Sequence, residues 1–227
     1  MKKFLLSIAI FFLFITQTFS HVEHYDKYNY LEYELYRNNK SIGYHKYEFN
    51  RDGKKLSITS EVSFKISKLG VDLYNYFAKS DENYEKGIFK SYSSKTKQNK
   101  KDRYVNIKVD ENNKELIIDG SSYKGKASKD FIVGTWWNHE IIKAKAQISG
   151  ISGRIIHQTV TFIGKEEIKI GEKTYKTLRF NFKSSDETLP DSKKLNTDIW
   201  YEENTYLWVK AAFDKTGYWE YRLKKIN

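Results

Sequence analysis

The sequence predicts an all-β, mainly antiparallel fold, a sandwich or a curved sheet closing toward a barrel, with one short helix around residues 138–148. Three observations lead there. Apolar and polar residues alternate along many short segments, and side chains alternate faces along a strand. Turn dipeptides separate those segments at regular intervals. Aromatics make up 16% of the chain and proline occurs once, at Pro190, a composition that suits long uninterrupted strands.

In chain order, residues 1–20 read as a secretory signal peptide. Lys2 and Lys3 precede an apolar run from Phe4 to Ile15, and Thr18 and Ser20 supply small residues at the spacing of a cleavage site. The run is shorter than the ~20 residues that span a bilayer, so cleavage near Ser20 and a periplasmic or secreted domain over residues 21–227 are expected. Next, Leu31, Tyr33 and Leu35 alternate with Glu32 and Glu34, and Asn38-Asn39 turns the chain into a strand over residues 42–49. Asp52-Gly53 is a hairpin signal. It precedes the clearest strand, residues 56–66, where Leu56, Ile58, Val62, Phe64 and Ile66 share one parity. Further strands are predicted over 71–77, 88–96, 103–109 and 115–118, with 119–131 as the weakest candidate for a linker. Over 138–148 the apolar residues Ile141, Ile142, Ala144, Ala146 and Ile148 fall at helical spacing, with Asn138 as cap and Gly150 as stop. Strands resume over 155–162, 167–170 and 175–182. After a polar loop over 184–196 come three close segments, 198–202, 206–213 and 218–224.

Apolar residues are 39% of the chain, below the usual ~45–50%. Disorder is still excluded, because disordered chains lack aromatic and β-branched residues. Cysteine is absent, which removes thiol nucleophiles, cysteine metal sites and disulfides. The net charge is +11, and +9 without Lys2 and Lys3. Between residues 86 and 108 eight basic residues face one acid, Asp102. Either these lysines guard a solvated hairpin against edge pairing, or Lys95, Lys97, Lys100, Lys101 and Arg103 contact an anionic membrane surface. Nucleic acid is not an expected partner.

Several landmarks occur in a fixed order: Ile42-Gly43, Lys68-Leu69-Gly70-Val71-Asp72-Leu73-Tyr74, Trp137-Asn138, Ile199-Trp200-Tyr201, and Gly217 leading into Leu223. Together they resemble the secreted proteobacterial family catalogued as domain of unknown function 6134, a relative of domain of unknown function 3108. The resemblance covers most of the chain after residue 20. It implies an exported β-rich protein of barrel or half-barrel kind and carries no activity or catalytic residue. His139 stands where the motif has proline after Trp-Asn.

No catalytic signature stands out. Serine and histidine are present without a Gly-x-Ser-x-Gly elbow. Glu140, Glu166, Glu167, Asp198, Glu202 and Glu203 lie among aromatics, as glycosidase acids do, but their separation in space decides that reading. His21, as a new amino terminus, and His24 are the outside candidates for a metal; no cofactor is expected. Trp136, Trp137, Asn138, His139, Trp200 and Trp208 are the candidate ligand-binding residues, rings with a polar mouth, and the competing reading makes them core. The leading expectation is a non-enzymatic binding protein for a lipid-like or amphipathic envelope ligand. An envelope adaptor that binds a protein partner, and a carbohydrate-binding or carbohydrate-active protein, remain open.

Overall fold

The computed structural model describes residues 25–227. The segment read as a signal peptide, residues 1–20, and the His21 and His24 metal candidates lie outside the described residues. Fifteen strands follow one another: β1 (Tyr30–Arg37), β2 (Lys40–Asp52), β3 (Lys55–Lys68), β4 (Val71–Glu85), β5 (Ile88–Gln98), β6 (Lys101–Asp110), β7 (Glu115–Gly120), β8 (Lys124–Ser128), β9 (Ile132–Val133), β10 (Ala146–Ile148), β11 (Ile155–Ile170), β12 (Lys173–Ser184), β13 (Asn196–Glu202), β14 (Trp208–Asp214) and β15 (Tyr218–Ile226). They form a single sheet in the order β8-β7-β6-β5-β4-β3-β2-β1-β15-β14-β13-β12-β11-β10-β9. The first strand therefore pairs with the last, with Leu35 opposite Tyr221, and two wings of hairpins extend from that seam. Every pairing is antiparallel except β9 with β10.

Several hairpins turn through pairs of residues at positive φ. Asn38 and Asn39 sit at φ 49° and 63°, and Leu69 and Gly70 at 51° and 79°, the two left-handed residues that a tight hairpin needs. The turns β1–β2, β3–β4, β5–β6 and β14–β15 fall at one end of the sheet, called the rim below, because the strands alternate in direction.

The sheet curls until its two wings meet, but edge strands β8 and β9 do not pair with each other. Closure is made by packing. Tyr92, Val105, Ile107, Leu116 and Ile118 of one wing bury against Val133 and Ile148 of the other. Ser122 N donates to Ser152 O at 2.9 Å across the gap. Gly120 allows that approach, since a β-carbon there would lie 2.5 Å from Ser152 O.

Three sequence readings differ. The helix around 138–148 is a single 3-10 turn, His139–Ile142, and residues 146–148 belong to β10. Asn138 does cap the turn, accepting from Glu140 N at 3.1 Å. The helix stops because the buried Gln158 amide donates to the carbonyls of Ile141 and Ala144 at 3.0 Å each, and because β10 pairs with β11. Strand pairing outweighs a short helical propensity. The two strands read over 155–162 and 167–170 are one, β11, with a register shift between Phe162 and Gly164. The 119–131 stretch is no linker: it holds β8. Among the described residues no helix is long and apolar enough to cross a membrane.

Candidate functional site

The segment between β9 and β10 threads the lumen and carries four of the predicted site residues. Trp137 is fully buried, edge-on to Tyr25, Phe49 and Tyr84 at 5.6, 5.6 and 5.8 Å. Its Nε1 donates to Glu82 Oε2 at 3.0 Å, and Thr135 Oγ1 reaches the same oxygen at 3.2 Å. Tyr84 Oη donates to Glu82 Oε1 at 2.6 Å, and Asn138 Nδ2 donates to Tyr84 Oη at 3.3 Å. Burial raises the Glu82 pKa; the three donors oppose that rise and do not cancel it. Trp208 stacks on Tyr33 at 3.9 Å, its carbonyl accepts from Tyr33 Oη at 2.8 Å, and its N–H donates to Tyr25 Oη at 2.9 Å. Trp137, Asn138 and Trp208 are thus core.

Trp136 is different. It is only partly buried, lies edge-on to Trp208 and Tyr221 at 5.3 Å each, and lines a cavity. His139 stacks on Tyr206 at 4.7 Å, away from that cavity. Trp200 faces the outer surface. Arg179 and Lys210 each lie 4.9 Å over its ring, and its Nε1 donates to Glu166 at 2.7 Å. Nearby, burial works to raise the Glu220 pKa, but ion pairs with Lys210 and Arg222 outweigh it and the carboxyl is lowered. Of the six predicted ligand residues, only Trp136 lines the cavity.

The cavity, about 230 Å³, occupies the rim half of the lumen. Its origin is visible in the register. Ser60, Ser80 and Ser94 stand opposite one another across β3, β4 and β5, and the next rung toward the rim is Val62, Ala78 and Thr96. Two rungs of small inward residues leave space that rings from Tyr47, Tyr76, Tyr92, Trp136 and Tyr221 enclose. His45 completes the wall. Its Nε2 pairs with Ser60 Oγ at 2.8 Å, its Nδ1 has no partner among the described residues, and burial lowers its pKa to about 3, so it is neutral. A cleft of about 730 Å³ at the rim shares Trp136, Ile151 and Tyr221 with the cavity. The cleft's other walls are Phe213 and Leu195 with the charged residues Lys183, Asp186, Glu187, Asp191, Lys194, Asp214 and Lys215. Sequence reading missed these residues. The available signal was hydroxyl residues at inward positions of β3 to β5, where apolar ones were due.

The candidate acids are engaged elsewhere. Glu166 and Asp198 both pair with Arg179, Glu140 pairs with Lys143, and Glu203 with Lys165. Glu202 accepts from Asn204 and Thr205 within its own turn, and Glu167 is exposed on β11. Among the described residues no group of three or more acids and histidines converges as a metal site. Lys95 and Lys97 project from the outer face of β5, Lys100 from the adjoining turn and Lys101 from the start of β6; all are exposed and without ion pairs among the described residues. Arg103 separates from them: partly buried, it donates to Gln98 and Ser122 at 3.1 and 3.3 Å.

Comparison with known proteins bears on the fold. No curated protein matches the chain. A solved structure that does, the beta-barrel-like protein of domain of unknown function DUF1849 from Brucella abortus, aligns over 87% of this chain and 96% of that one with a TM-score of 0.59. The two share 12% sequence identity, a likeness of fold alone. A family profile described as "Domain of unknown function (DUF6134)" matches residues 33–224, nearly all of the sheet. The chain belongs to that family.

Proposed function

We propose that the domain is a non-enzymatic binding protein that holds an amphipathic, lipid-like molecule in the rim half of its lumen. One observation carries the reading: a ring-and-hydroxyl cavity of about 230 Å³ backs onto a charged cleft of about 730 Å³, with Trp136 and Tyr221 as common walls. The two together exceed the ~300 Å³ at which small-molecule sites begin. The inner chamber offers ring faces for an apolar segment. The outer cleft offers Lys183, Lys194 and Lys215 among acids for a polar head. The apolar run at the start of the chain supports placing this activity in the cell envelope.

Native mass spectrometry of protein purified from an exporting cell, followed by lipid extraction, tests the reading. A reproducible added mass in the lipid range is expected. Ser80→Leu, which puts a larger side chain into the cavity between Ser60 and Ser94, is expected to abolish that mass while leaving the melting temperature within a few degrees. An added mass that persists unchanged in the variant overturns this site. An adaptor for a protein partner ranks second, because Trp136, Trp137 and Trp208 face inward and cationic side chains cover Trp200.

A further inference from the structure

We infer that the β3–β4 hairpin is a membrane-docking wedge for an anionic lipid bilayer. The hairpin overhangs the rim. On one side β2 leaves β3 after Gly43 meets Phe64, and on the other β5 joins β4 only from Tyr76. The ribbon between those levels has no flanking strand, apart from Asn99 bonding Asn75 at 2.7 and 2.9 Å. At its tip the polarity of an ordinary turn is inverted. Leu69 is 94% exposed, Val71 61% and Leu73 56%, and Phe77 is exposed below them on the same strand. A turn requires only the backbone geometry that Leu69 and Gly70 supply, so folding does not explain why leucine stands at φ 51° in water. Exposed apolar groups gathered at one protrusion mark a contact surface.

The surroundings identify the partner. Lys68, Lys97, Lys100 and Lys101 are exposed around the ribbon, and Lys79 and Lys95 follow on the outer face. Acids lie among them: Asp72 is held by Lys65 at 2.9 Å and Ser67 at 2.8 Å within the ribbon, Asp102 stands opposite Lys97 in the register, and Glu61 stands opposite Lys79 and accepts from Tyr44. An apolar point within a collar in which cations outnumber acids matches an anionic headgroup layer over hydrocarbon. A protein interface of standard size needs about 800 Å² per partner, and a two-stranded protrusion offers little such area. The wedge lies at the same end as the charged cleft. It stands independently of what the lumen binds.

The test is co-sedimentation of the purified protein with vesicles of phosphatidylglycerol and phosphatidylcholine in equal parts, against phosphatidylcholine alone. Binding to the anionic vesicles is expected to exceed that to the neutral ones by about tenfold or more, and to weaken with added salt. The triple variant L69S/V71S/L73S is expected to lose about tenfold of that binding. Charge reversal at Lys95, Lys97, Lys100 and Lys101 is expected to abolish it. Both variants change exposed side chains only, and an unchanged melting temperature shows that they fold. Equal partitioning of the native and triple-serine proteins overturns the proposal, as does equal binding to both vesicle types. A native dimer that the triple variant dissolves, with no vesicle binding, reassigns the tip to self-association. The lumen ligand is read separately by mass, so failure of one proposal is not failure of the other.

Discussion

The two halves of the lumen are built on the same strands and the same inward parity, yet one is solid and the other hollow. Away from the rim, Tyr25, Phe49, Ile58, Tyr84, Trp137 and Ile141 interlock with every ring in contact with another side chain. Toward the rim, β3, β4 and β5 present serine, alanine and threonine instead. Curvature does not separate the halves, because the strands run through both. What differs is side-chain volume per rung. A barrel of this kind is filled or emptied one rung at a time, by residues that are neighbours across strands and distant along the chain.

The sharpest way to break the comparison is to empty the solid half. Trp137→Ala is expected to cost about 3–5 kcal/mol by loss of a large buried ring. It also removes one of the donors that Glu82 depends on in a site without a cation. Domains of this size have only about 5–15 kcal/mol in total. Urea unfolding is expected to show the midpoint falling steeply with the slope preserved. A loss under about 1 kcal/mol would mean that Trp137 lines space rather than filling it.

Between the halves stands His45, and pH reads its position. Its folded pKa, about 3, lies below the ~6.5 of an unfolded histidine. Below pH 6.5 the unfolded chain takes up a proton that the folded protein refuses, so stability falls as pH drops from 6.5 toward 3. From pH 7 to pH 5 that amounts to about 2 kcal/mol. The groups around the ring are Ser60, Tyr33, Tyr47, Trp208 and Tyr221, none of them charged at these pH values. Glu82 acts with the opposite sign: its raised pKa gives stability at low pH that is lost as pH rises through it. Native and His45→Asn proteins share the Glu82 contribution, so the difference between their pH–stability curves isolates His45. A flat difference between pH 5 and 7 would show the ring hydrated through the rim.

How much of this was legible follows from where the information lies. The alternation over Leu56, Ile58, Val62, Phe64 and Ile66 exposed β3 directly, and all five side chains belong to the inward parity. The family landmarks led to the barrel, and the family is confirmed. The bulge at Gly164 hid the length of β11, and the spacing of Ile141, Ile142 and Ala144 suggested a helix where one turn gives way to strand β10. In the site, neighbours in sequence part company: Trp136 lines the cavity and Trp137 is core. Trp200 and Trp208 were grouped as alike, but the register shift between Trp200 and Tyr201 places one outside and the other against Tyr33. The hollow itself was illegible. Ser60, Ser80 and Ser94 become a row only once three strands are in register, and no local pattern announces that.

The finest test adds volume to that row. Ala78 stands between Val62 and Thr96 in the second rung, facing the cavity. Ala78→Val places two methyl groups in the hollow. If the space is dry, each buried group is worth about 0.8 kcal/mol, and β-branching suits the strand, so a gain near 1 kcal/mol is expected in the ligand-free protein. If the native protein carries a ligand, the valine competes with it, and stability lost with the ligand offsets the gain. Melting the native and Ala78→Val proteins before and after lipid extraction separates the two. A gain only after extraction means that the hollow half is kept hollow by an occupant. A gain in both states means an unfilled core, and the difference between the two halves would then be packing alone.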